Sequence, residues 1–211
     1  MRTLSRRSIA AIAPSLLAAA TIALVPGTAA AATRNVSMDV YDFTPATITI
    51  ARGDIVKWTN DDFTAHDVQA QRPYRLFRNP GGAGSPIPPN GTYSYTFTSA
   101  GRFPYVCLTH SSDGMQGTVV VPITLTRLNT SPEKFKVTVG SLAIPANQPW
   151  VRVVQVDLPS TGTHWVSLNP TRAASVTYKP TAHGTYRFRS YLKSTGSSGQ
   201  SDPSPVKSLS H

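Results

Sequence analysis

From Arg34 onward no stretch of the chain repeats apolar residues at helical spacing. Apolar residues alternate instead in short runs, each closed by Gly, Pro, Asn or Asp. That pattern predicts an all-β chain built as sandwiches. In the first half the runs are "VSMDVYDF", "ATITIA", "DIVKWTN", "TYSYTFT", "GRFPYVC" and "GTVVVPI"; the second half gives "ITLTRL", "KFKVTVGSL", "WVRVVQVDL", "HWVSLNP", "SVTYKP", "TYRFRSYLKS" and "SPVKSLS". Alternation places Tyr93, Tyr95 and Phe97 on one face of their strand, and Phe103, Tyr105 and Cys107 on one face of theirs. "RNPGGAGSPIPPNG", residues 78–91, has the composition of a surface loop. Two sandwiches are expected, residues 33–122 and 123–211, with a short joint near Pro122.

The N-terminus is of another kind. Arg2, Arg6 and Arg7 precede an uncharged Ala/Leu/Ile stretch, interrupted by Pro14 and Pro26, and small residues gather at Ala29 to Ala32. Residues 1–32 read as a cleaved signal peptide of bacterial character, and Ser5-Arg6-Arg7-Ser8-Ile9 resembles a twin-arginine signal. The mature chain is then extracytoplasmic (secreted, periplasmic or wall-associated) and carries no membrane span. Charge divides the two halves. Residues 33–122 balance their acids and bases, whereas Arg127, Lys134, Lys136, Arg152, Arg172, Lys179, Arg187, Arg189, Lys193 and Lys207 face only Glu133, Asp157 and Asp202. Such a surplus suits an anionic wall polymer as partner; the exported address argues against nucleic acid.

Cys107 is the only cysteine. Exported chains ordinarily use cysteines in pairs, and a lone thiol outside the cytoplasm is open to oxidation unless it is buried or held by a metal. It opens the stretch "CLTHSSDGM", which places His110 three residues on and Met115 five beyond that, in one loop between two expected strands. His66, in "NDDFTAHDVQA", follows another strand. A thiolate, two imidazoles and a thioether form a soft-to-borderline set, and a trigonal His₂Cys arrangement with a weak axial Met is the geometry of an electron-transfer copper site. Zinc accepts the same thiolate and imidazoles, but methionine is a poor zinc ligand.

The spacing Cys-x₂-His-x₄-Met with an upstream His, in the frame "GTYSYTFTSAGRFPYVCLTHSSDGMQGTVVV", resembles the cupredoxins, the blue copper proteins typified by plastocyanin and pseudoazurin. The resemblance spans about residues 34–122. It implies a Greek-key sandwich with one type 1 copper at one end, His66, Cys107 and His110 as equatorial ligands, Met115 as the axial ligand, and the edge of His110 as the electron exit. Gly114 and Gly117 would let the loop turn closely round the metal. Asp67 stands where many small relatives have an asparagine that braces the cysteine loop. Residues 123–211 resemble fibronectin type III or immunoglobulin-like domains, with Tyr186 in the tyrosine-corner place, although "KFKVTVG" lacks a core tryptophan. His164, His183 and His211 read as isolated surface histidines, and Arg72, Arg75 and Arg78 as a solvated loop.

No His-x-His pairs of a multicopper oxidase, oxyanion-hole motif, P-loop or dinucleotide fingerprint is present. The expectation is an electron carrier rather than an enzyme, passing single electrons to an unknown redox partner. Two other readings stay open: the same ligands could store or hand over copper to a donor or acceptor protein, or the chain could be a metal-free adhesion module.

Overall fold

The computed structural model describes residues 30–71, 75–159 and 162–211. The expected signal peptide, apart from Ala30 to Ala32, and Arg72 lie outside the described residues. Among the described residues fifteen strands form four sheets. The first half supplies β1 (Thr33–Asp39), β2 (Asp42–Thr44), β3 (Thr47–Thr49), β4 (Ile55–Asn60), β5 (Gln69–Ala70), β6 (Thr92–Thr96), β7 (Gly101–Val106) and β8 (Gln116–Val121). They form two sheets ordered β2-β1-β4-β6 and β3-β8-β7-β5. Pairs β1–β4 and β3–β8 run parallel and the rest antiparallel. The alternation holds in space: Val36, Met38, Val56 and Trp58 from one sheet meet Phe103, Tyr105, Val119 and Val121 from the other, all buried. Trp58 is the hub, stacked on Phe77 and Tyr93 and edge-on to Tyr105. "VSMDVYDF" is two strands rather than one, because the chain reverses at Val40–Tyr41 with φ of 41° and 77°.

The second half supplies β9 (Thr124–Leu128), β10 (Lys134–Thr138), β11 (Trp150–Asp157), β12 (Trp165–Ser167), β13 (Ser175–Tyr178), β14 (Thr185–Ser194) and β15 (Lys207–Ser210). Its antiparallel sheets are ordered β13-β10-β9 and β12-β11-β14-β15. Phe135, Val137, Val139, Val154, Val156, Tyr186 and Phe188 fill the space between them. The Tyr186 hydroxyl accepts N–H bonds from Thr181 and Ala182 and donates to the Ala182 carbonyl, so it pins the approach to its own strand. The histidines are less isolated than the sequence suggests. His183 and His211 stack with centroids 4.9 Å apart, and His211 Nδ1 lies 2.7 Å from Glu133.

The joint is broader than the chain crossing at Pro122. Backbone bonds link Ala100 to Val139, Ser141 to Thr98, and Arg102 to Asp202 in both directions. Leu192 of β14 is buried in the first core, and Ala100 is buried in the second. Arg152 is fully buried between them. Its guanidinium donates to the Ser99 hydroxyl and to the carbonyls of Thr98, Leu142, Arg172 and Ala173. Burial first, and then the charge of Arg52, brings Arg152 down to about 10. Among the described residues no helix is long and apolar enough to cross a membrane.

Candidate metal centre

Two loops at one end of the first sandwich carry the donors. The β7–β8 hairpin is in register to Val106–Gln116, and the loop between is closed by the Cys107 N–H donating to the Met115 carbonyl at 3.1 Å. Inside it the chain makes a 3₁₀ turn over Ser111–Asp113 and reverses at Gly114, whose φ of 81° suits glycine. Gly117 has a different reason for being glycine. It faces Tyr105 across the ladder, and a Cβ there would lie 2.4 Å from the tyrosine ring. The second loop joins β4 to β5 and holds His66 by two backbone bonds with Ile87, one in each direction.

These loops bring three donors together. His66 Nδ1 and His110 Nδ1 are 3.0 Å apart, and the Cys107 sulfur is 3.8 Å from the first and 3.5 Å from the second. They are the one His/Cys/Asp/Glu group of this kind among the described residues. His66 and Cys107 are buried, while His110 is partly exposed and packs against the Tyr41 ring with centroids 4.8 Å apart. Met115 is also fully buried and ends the same loop. The site residues expected from the sequence thus occupy one end of one sandwich.

Burial pushes the Cys107 thiol up from its ordinary value. The Asp67 N–H, 3.3 Å from the sulfur, opposes that rise, while the Asp67 carboxylate charge adds to it. A metal binding there must therefore displace the thiol proton. Asp67 is buried rather than solvated. Its Oδ1 accepts from the Thr109 N–H and hydroxyl at 3.0 and 2.9 Å and lies 3.3 Å from the sulfur, so it braces the cysteine loop. Its Oδ2 is buried without a partner. A buried anion with a free lone pair beside a thiol and two imidazoles is the setting in which a soft cation supplies the missing charge. The donor set fits copper.

Sequence reasoning missed Asp62. Its Oδ2 lies 3.0 Å from His66 Nε2, the nitrogen turned away from the other donors. The Thr64 hydroxyl, and after it the His66 ring, hold the Asp62 carboxyl down at about 2. The spacing of four residues before His66 carried no signal, because it runs through an irregular loop.

The donors define a mononuclear centre for a soft or borderline ion, set at one end of a β-sandwich. Residues 30–122 match the family of copper binding proteins described as the plastocyanin/azurin family. The chain is 32% identical over 87 residues to the chloroplastic plastocyanin of Tetradesmus obliquus, a match covering 37% of this chain and 57% of that protein. It thus spans little more than half the length of that curated relative. Similar solved structures include a purple cupredoxin from Nitrosopumilus maritimus (25% identity, 41% of this chain and 97% of that one, TM-score 0.36). Another is the amicyanin of Paracoccus versutus (25% identity, 46% and 85%, TM-score 0.36). The first sandwich is thus similar to that family over its whole length. The likeness and the His66–Cys107–His110 cluster together support a single copper ion as cofactor.

Proposed function

We propose that the protein is an exported type 1 copper protein that carries single electrons. His66, Cys107 and His110 are its equatorial ligands and Met115 its axial ligand. The observation that carries this reading is the convergence of three donors from two loops, one imidazole at the surface and the other two donors buried. Donors held by two loops of a packed sandwich change little between oxidation states, which keeps the reorganisation of a one-electron Cu(II)/Cu(I) exchange small. His110 is the exit. Around it Val40, Tyr41, Phe63 and Leu108 are exposed apolar residues on the loops that carry or flank the donors, a rim suited to a transient redox partner. The chemistry is that of a carrier rather than an enzyme.

The second sandwich reads as a fibronectin type III-like domain, supported by its three- and four-stranded sheets and the bonding of Tyr186. Its surplus of basic residues suits an anionic wall polymer, with an extracytoplasmic address implied by the N-terminal stretch.

The test is titration of mature apo-protein with Cu(II), followed by visible absorption, alongside Cys107→Ser. An intense thiolate-to-copper charge-transfer band that saturates at one equivalent and vanishes in the variant is expected. No band in the unaltered protein would sink the reading. Reduced protein that yields its copper readily to a chelator would favour copper delivery over electron transfer.

A further inference from the structure

The two nitrogens of His66 face different surroundings. Nδ1 points to His110 Nδ1 at 3.0 Å and to the Cys107 sulfur at 3.8 Å. Nε2 points the other way, to Asp62 Oδ2 at 3.0 Å, and this side-chain contact is nearly closed to solvent, with exposures of 0% and 10%. A nitrogen that gives its lone pair to a metal carries no proton, so the proton of neutral His66 belongs on Nε2, where the carboxylate accepts it.

Asp62 is itself held. The Thr64 hydroxyl donates to Oδ2 at 2.6 Å and the Phe63 N–H to Oδ1 at 2.6 Å. The Asp62 N–H donates to Asn60 Oδ1 at 3.0 Å. Asn60 Nδ2 donates to the carbonyls of Thr64 and Ile87, and Ile87 is the residue that clamps the His66 backbone. The loop from Asn60 to His66 is thus closed around one carboxylate–imidazole contact. Asp67, a buried acid next to His66 in the chain, addresses the sulfur and not the ring. The two carboxylates act on different ligands.

We propose that Asp62 is a positioning residue of the metal centre: it fixes His66 with its proton on Nε2, aims Nδ1 at the metal, and makes the imidazole a stronger donor that favours Cu(II) over Cu(I). This rests on the copper reading above. A carboxylate behind a ligating histidine raises the basicity of the ring, and removing such a partner changes metal affinity by about 10–100-fold. Only the charge is at issue, since Asn at the same position keeps an acceptor for the Nε2 proton.

Two measurements test it. Nitrogen-15 NMR of the His66 ring in apo-protein, which needs no copper, is expected to place the proton on Nε2, and Asp62→Ala to move part of the population to Nδ1. Redox titration of the copper-loaded protein is expected to show a raised potential in Asp62→Asn. A tenfold change in the Cu(II)-to-Cu(I) affinity ratio corresponds to about 59 mV. Thr64→Val, which loosens the loop but keeps the charge, is expected to lower stability and leave the potential near its original value. A His66 proton found on Nδ1, or an Asp62→Asn potential that is unchanged or lower, would overturn the proposal. Failure of the copper reading shows separately, as absence of the charge-transfer band in the unaltered protein.

Discussion

The two ends of the first sandwich both bury charge, and they resolve it in opposite ways. At the loop end, Asp67 is buried with Oδ2 unpartnered beside a thiol and two imidazoles. At the joint, Arg152 is buried with no ion pair among the described residues, yet its donors reach four carbonyls and a hydroxyl. The first arrangement is incomplete without a cation. The second is complete in itself, because carbonyl dipoles aimed at a guanidinium replace much of its lost hydration. Burial alone therefore does not mark a functional site. What marks this one is an unpartnered carboxylate oxygen beside three possible metal donors.

Four substitutions test that contrast. Arg152→Met strips the donors from the carbonyls of Thr98, Leu142, Arg172 and Ala173, and leaving even two such groups bare costs about 3 kcal/mol or more. Denaturant unfolding should show that loss, while whatever folds keeps its charge-transfer band. A stability near the original would mean that the joint is dispensable. Next come two glycines, one at each end. A Cβ on Gly140 would sit 2.4 Å from the Arg152 guanidinium and one on Gly117 2.4 Å from Tyr105. Each Gly→Ala change is expected to lower stability by about 1–3 kcal/mol. Only Gly117→Ala should also shift the copper absorption, because it adjoins the loop that Met115 ends. Smallest in stability terms is Asp67→Asn. Removing the negative charge beside the thiolate favours Cu(I), so voltammetry should show a higher potential, by tens of mV at ~59 mV per tenfold. No rise would mean that Asp67 acts on the loop alone, through Thr109.

Much of this was legible from the chain. Alternating runs bounded by turn residues located almost every strand, since both sandwiches bury one face of each sheet. The meeting of His66, Cys107 and His110 was legible as well, because a lone cysteine with a histidine three residues on in one hairpin loop has few other uses. The reversal at Val40–Tyr41 was hidden: a turn with φ > 0 at both central residues normally announces itself through Gly, Asn or Asp, and here it is a valine and a tyrosine. Asp62 was hidden because its contact with His66 depends on how a loop folds back. Arg152 could have been found. Period-two counting along β11 sets it on the same face as Val154 and Val156, both core residues, and a charged residue at a core position demands acceptors. The stacking of His183 on His211 joins residues far apart in sequence, which no local pattern reports.

The exchange of Leu192 into one core and Ala100 into the other has a mechanical meaning. Two beads on a string would let the copper end swing through a wide cone. Here the second sandwich behaves as a strut: whatever grips its far sheet sets both the reach and the heading of His110. The metal centre of a protein of this build is held at a fixed height above whatever the second sandwich contacts.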